Sequence, residues 1–188
     1  MPTLPLIALL TAYGADKSPQ TDHGDGKTFH NDPPVQVSPW DVLKWQFTRE
    51  SHPWPEKIHV APSHPDLSVV SGIRATWVGH ATVLVQSPGL NLLTDPVWSK
   101  RVGPWSWVGS ARRAQPAVAF EDLPRIDAVL VSHDHYDHLD MPTLERLAKE
   151  RSPLAIAPLG TADLVKKAGF EKVVALDWWQ SAPLPSGD

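Results

Sequence analysis

The sequence of 188 residues contains no cysteine. That excludes a disulfide framework and a thiolate-ligated zinc, so any metal must be held by imidazole and carboxylate. No stretch approaches the roughly 20 apolar residues that a membrane-spanning helix needs. There is no basic block either: 17 Lys and Arg against 21 Asp and Glu leave a net charge of −4, which removes the electrostatic case for nucleic-acid binding. Internal repeats are absent. Charged residues make up 20% and hydrophobic ones 41%, an ordinary globular composition with enough apolar material for one core. The last absence is positional: none of the nine histidines follows His138.

Proline is in excess, 20 residues where an average usage of about 5% implies roughly half as many, and most of the surplus lies before residue 66. Leu4–Leu10 reads like the apolar centre of a secretory signal, with Ala12-Tyr13-Gly14 as a small-residue cleavage site. Against this, no Lys or Arg precedes Lys17, so the charged n-region is missing. The reading adopted is an irregular N-terminal arm over 1–39, in a cytoplasmic or periplasmic protein. Residues 40–70 then combine a docking helix, with Trp40, Leu43 and Phe47 at helical spacing, and an extended segment enforced by Pro53, Pro55, Pro62 and Pro65. The compact domain is expected over 71–188.

Within it the period changes. Residues 73–78, 83–86 and 90–94 read as consecutive antiparallel strands around the turn Ser87-Pro88-Gly89. Residues 96–116 form a Trp-, Gly- and Arg-rich loop. Ala128–Val131 is a short apolar run, a strand buried on both faces. Asp140 is placed to N-cap a helix over 141–149, followed by a strand at 154–157, a helix at 161–168 stopped by Gly169, and a strand at 172–176. This alternation predicts an α/β fold.

Directly after the strand at 128–131 comes Ser132-His133-Asp134-His135-Tyr136-Asp137-His138. Three His and two Asp fall within six residues, at the strand-to-helix corner where α/β proteins place their sites. Residues at i and i+2 can converge on one cation, while Asp137 and His138 on the following bend reach a spot a few Å away. Two metals about 3.5–4 Å apart can then share a nucleophilic hydroxide. Imidazole and carboxylate without thiolate suit zinc and are compatible with iron or manganese.

The run His133-x-His135-x-Asp137-His138 resembles the signature of the metallo-β-lactamase superfamily. Thr76–Val83, Leu93-Thr94-Asp95-Pro96, Leu123–Leu130, His138-Leu139-Asp140 and Asp177-Trp178-Trp179 are similar to N-acyl-phosphatidylethanolamine-hydrolysing phospholipase D and its bacterial relatives. The resemblance implies the first half of an αβ/βα sandwich. It implies a first zinc on His133 and His135 and a second on Asp137 and His138. Asp137 would also be the catalytic group that orients the attacking hydroxide and manages its proton. Asp95 is either a support that fixes a ligand without touching the metal or the opener of a turn before Pro96; His80 is either a residue at the site mouth or a structural one. Trp98, Trp105 and Trp107 form either a hydrophobic rim or a satellite core.

The resemblance further implies three ligands downstream of His138, another His, an Asp bridging both metals and a final His, which makes this chain read as an N-terminal fragment. The expected parent is a zinc-dependent phosphodiesterase acting on an N-acyl phospholipid or related small ester, with peripheral membrane contact compatible with such a substrate. The alternatives are a lactonase or phosphate-ester hydrolase of the same fold, and an inactive half domain.

Overall fold

Three antiparallel strands form where the sequence alternates: β1 (Arg74–Gly79), β2 (Thr82–Ser87) and β3 (Leu90–Thr94). In the computed structural model of the chain, the described residues are 19–26, 28–31, 33, 38–50, 52, 55–64, 71–105 and 107–185. The sheet continues with β6 (Ala128–Leu130), β7 (Leu154–Pro158) and β8 (Val173–Leu176), in the order β1-β2-β3-β6-β7-β8. β3, β6, β7 and β8 run parallel. Parallel neighbours need crossovers, supplied by α2 (Met141–Arg151) between β6 and β7 and α3 (Thr161–Lys167) between β7 and β8. The result is the mixed α/β architecture that the alternation of elements predicts.

Strand register explains the core. Leu84, Leu93, Val129 and Ala155 are cross-strand partners on one face, and each is 0% exposed. Leu139, Leu144, Leu147 and Val165, on α2, α3 and the turn before α2, close over the same cluster. The opposite face carries Val83, Val85, Leu130, Ile156 and Val174, which are half-buried. α3 ends as expected: Gly169 takes φ +95 and its N–H bonds to Lys166 O at 2.9 Å, a left-handed stop that a Cβ would strain.

Three details depart from the sequence expectations. The helix at the start, α1 (Pro39–Thr48), does form, with Ser38 as N-cap and Pro39 in its first turn. No residue of it is buried, however; Trp40 is 77% and Phe47 66% exposed. Trp45 falls off the Trp40–Leu43–Phe47 face, and a face this narrow meets no partner among the described residues. The segment read as one long loop, 96–116, contains a small hairpin of β4 (Arg101–Val102) and β5 (Ser110–Ala111). Such short strands carry too little alternation to stand out, and the tell-tale is Gly109, where a Cβ would meet Val102 O at 2.0 Å. Finally, Asp140 occupies the N-cap position of α2 without capping it; its carboxylate is engaged elsewhere, as described below.

Of the Pro-rich segment, Pro53 and Pro65 lie outside the described residues, as does the whole of 1–18. The stretch around Ile58 runs beside residues 113–117, pairing with Ala114 through an isolated parallel bridge, with Ile58 N bonded to Arg113 O at 2.8 Å and Ser63 N to Ala117 O at 2.6 Å. Among the described residues no helix is long and apolar enough to cross a membrane.

Candidate metal centre

Three chain reversals meet at one end of the sheet. Because Thr94 and Leu130 are register partners in parallel strands, the chain leaves β3 and β6 side by side. Asp95 follows the first and Ser132–His138 the second, both at carboxyl ends of strands, where open α/β sheets hold their ligands. The β1–β2 reversal brings His80 and Ala81 to the same end. Thr82, fully buried, ties it down by donating its hydroxyl to Asp95 O at 2.6 Å, and Thr94 Oγ1 donates to Ala81 O at 2.8 Å. His80 and Asp95 both sit at positive φ, +49 and +35. Such conformations cost a non-glycine residue about 1 kcal/mol or more and persist where the surroundings enforce them.

Asp95 is the hub. It is 6% exposed, and its Oδ1 accepts from Ser132 N at 2.7 Å. Its Oδ2 accepts from Ser132 Oγ at 2.7 Å and pairs with His138 Nδ1 at 2.9 Å. Ser132 Oγ in turn lies 2.8 Å from His133 Nδ1. A hydroxyl has one proton. Since that of Ser132 goes to the carboxylate, the hydroxyl oxygen must accept from His133 Nδ1–H. This proton count places hydrogen on Nδ1 of both His133 and His138, so that Nε2 is the ring nitrogen each can offer to a metal. Tying one ring nitrogen to an oxygen so that the other is free is how proteins orient imidazoles toward a metal.

The rings themselves cluster. His133 lies 4.5 Å from His135 and 4.1 Å from His138 between centroids, and His138 lies 5.0 Å from His80. Asp137 Oδ2 is 3.0 Å from His80 Nε2 and 3.8 Å from His138 Nε2. His80, Asp137 and His138 each bring one ligand atom within 4.8 Å of the others. Burial first, and then the neighbouring His138 and His135, hold the His133 imidazole below its ordinary pKa, against the opposing pull of Asp95 and Asp137. A neutral ring is the form that coordinates a metal. Crowded imidazoles repel one another when protonated and are stabilised by a shared cation. The donor set and the assigned tautomers therefore fit a metal such as zinc.

Residues 90–188 match the family model of the beta-lactamase superfamily domain. The chain belongs to this superfamily. It is 34% identical over 180 residues to N-acyl-phosphatidylethanolamine-hydrolyzing phospholipase D 1 of Caenorhabditis elegans, covering 84% of this chain and 50% of that protein. It is 44% identical over 115 residues to an uncharacterized protein of Mycobacterium tuberculosis, covering 60% of this chain and 31% of the other. A metal-dependent hydrolase of Anaeromyxobacter is 34% identical over 100 residues, covering 53% of this chain and 32% of the relative. The chain thus spans between a third and a half of the length of these relatives.

Of the sequence-nominated residues, Asp137 and His138 bring their ligand atoms together with that of His80, His133 and His135 adjoin them through ring contacts, and Asp95 lies behind His138. The two alternatives for the tryptophans divide. Trp98 packs on the core, edge-on to Phe120 at 5.6 Å with its Nε1 donating to Val118 O, whereas Trp105 and Trp107 stack on each other at the surface, 58% and 75% exposed.

The sequence did not show the part that three residues play in the arrangement. Ser132 was legible as part of the run but not as the link between His133 and Asp95. Asp140, 4% exposed, accepts from Trp98 N at 3.2 Å, Ser99 N at 3.0 Å, Ser99 Oγ at 2.7 Å and the Thr143 hydroxyl. It thereby fastens the 97–99 loop to the turn that carries His138. Arg112 grips the same loop, with Nε on Ser99 O at 3.1 Å and Nη2 on Val97 O at 2.8 Å. A cleft of about 690 Å³ opens beside His80 and Asp137, with Ile58, Val60, Trp77 and Val102 as its apolar wall.

Proposed function

We propose that the protein is a metal-dependent hydrolase whose substrate is a phosphodiester in an N-acyl phospholipid or a related ester, with His133, His135, Asp137 and His138 as metal ligands. The observation that carries this reading is the chain His133–Ser132–Asp95–His138, which ties down the Nδ1 of two neighbouring imidazoles and leaves their Nε2 atoms as the ligand positions beside a carboxylate. A bound divalent ion would supply Lewis acidity and lower the pKa of a water molecule. The residues do the rest. Asp137 Oδ2 can take the water's proton, and His80 Nε2, 3.0 Å away, holds that carboxylate in place and can share the proton. Asp95 keeps His138 from rotating out of the cluster. The apolar wall of the cleft suits an acyl chain and keeps bulk water from the reacting atoms.

The choice of phosphodiester is supported by the likeness to the Caenorhabditis elegans phospholipase D and by a yeast mitochondrial N-acyl-phosphatidylethanolamine-hydrolyzing phospholipase D, 35% identical over 111 residues. The test is to load the protein with zinc, count bound metal, and assay release of phosphatidic acid from N-acyl phosphatidylethanolamine alongside hydrolysis of bis-p-nitrophenyl phosphate and of a lactone. Turnover of the diesters that His135→Ala abolishes supports the proposal. Lactone opening without diester cleavage would transfer the site to a lactonase, and no tight metal binding would reduce the domain to a half without catalysis of its own.

A further inference from the structure

The Arg112 guanidinium is a half-buried cation with no carboxylate paired to it among the described residues. Its Nε and Nη2 bond to the neutral carbonyls of Ser99 and Val97. Among the described residues no carboxylate lies within ion-pair distance of it, and Asp140 opposes its charge only at longer range. Burial pushes its pKa down and Asp140 pushes it up. Its third nitrogen lies beside Gly79: a Cβ built there would be 3.4 Å from Nη1. Gly79 precedes His80, whose Nε2 touches Asp137, and all four residues line the same cleft.

We propose that Arg112 is the anion-recognition residue of this cleft, holding the negatively charged oxygen of a phosphoryl substrate beside the metal-ligand cluster. The inference rests on the hydrolase reading above and narrows its substrate class. Moving a charge out of water is unfavourable unless a counter-charge accompanies it. Val97 O and Ser99 O fix the fork's orientation and neutralise nothing. A bound anion supplies the missing charge, and the planar guanidinium matches the spacing of phosphate oxygens. A phosphodiester is an anion at neutral pH, whereas a carboxylic ester or lactone is neutral. Arg112 therefore selects between the two reaction classes that the ligand cluster by itself serves equally well. Its grip on the 97–99 loop, which Asp140 fastens to the turn bearing His138, keeps the anion site and the ligand turn in register.

The deciding experiment uses the metal-free chain and a probe that is not hydrolysed. Dimethyl phosphate is titrated while the Nε–Hε NMR resonance of Arg112, assigned by its disappearance in Arg112→Lys, is followed. A saturable shift is expected with dimethyl phosphate and none with uncharged trimethyl phosphate. In Arg112→Gln the affinity should fall roughly 10- to 100-fold, the loss of one hydrogen bond to a charged group. With zinc-loaded protein, the ratio of kcat/KM for bis-p-nitrophenyl phosphate over p-nitrophenyl acetate should fall by a similar factor in Arg112→Gln and recover in part in Arg112→Lys. An absent shift, an equal shift with trimethyl phosphate, or an unchanged ratio in a folded Arg112→Gln overturns the proposal. If that variant does not fold, the titration of the unaltered chain decides alone. Failure of the zinc-loaded protein to turn over either ester would sink the hydrolase reading while leaving the NMR result on Arg112 standing.

Discussion

Asp95 collects Ser132 N, Ser132 Oγ and His138 Nδ1 on two oxygens while 6% exposed. A carboxylate accepts at every lone pair, whereas the amide of asparagine must donate from one end. Asp95→Asn therefore sets an NH₂ group against an N–H or O–H donor, and His138 loses the partner that fixes its tautomer. Zinc affinity is expected to fall about 10- to 100-fold, the range found when the outer partner of a metal-bound histidine is removed. Competition with a chromophoric chelator measures it. Ser132→Ala breaks only the His133 branch and should give the smaller loss. Equal affinity in Asp95→Asn and the native chain would show that the relay does not set the ligands.

Asp140 plays the corresponding part between elements. Its carboxylate joins the 97–99 loop to the start of α2 through four donors. Replacing it by alanine removes the acceptor of the half-buried Ser99 amide and hydroxyl and leaves the Trp98 amide only Thr143 Oγ1, each lost bond to a charged group being worth about 1.5–3 kcal/mol. Asp140→Ala should thus destabilise the domain by about 3 kcal/mol or more, read as a lowered urea midpoint at unchanged m-value. α1 gives the opposite expectation. With Trp40 77% and Phe47 66% exposed, alanine at either position should change stability by less than about 0.5 kcal/mol. A loss of several kcal/mol in the same urea titration would mean that this helix is covered in solution.

For the molecule as a whole, the cluster is assembled from three reversals that converge only when the sheet is formed. A metal that binds it binds the folded state, so folding and metal affinity are linked. Zinc at 100 times its dissociation constant should add about 2.7 kcal/mol to stability, seen as a rise in Tm that EDTA reverses. His138→Ala, which removes a ring central to the cluster, should abolish most of the rise. A rise that persists in His138→Ala would place the stabilising ion elsewhere.

The local code was enough for the six-stranded sheet and the two helices that follow its parallel strands, though not for the short β4–β5 hairpin, because alternation, apolar runs and the stop at Gly169 act within a few neighbours along the chain. The proximity of His133, His135, Asp137 and His138 was legible too, since they are crowded into six consecutive positions. Other features depend on distance in space. The place of Asp95 against Ser132 and His138 follows from the parallel pairing of β3 with β6. That His80 reaches Asp137 follows from the β1–β2 reversal lying at the same sheet end. Trp98 and Trp105 sit in one loop, yet one packs on the core and the other stays in solvent, because Phe120 and Val118 O are available to Trp98 alone. Arg112 shows the same limit: a single arginine is silent in a sequence, and its charge acquires meaning only where folding removes its water and, among the described residues, pairs it with no carboxylate.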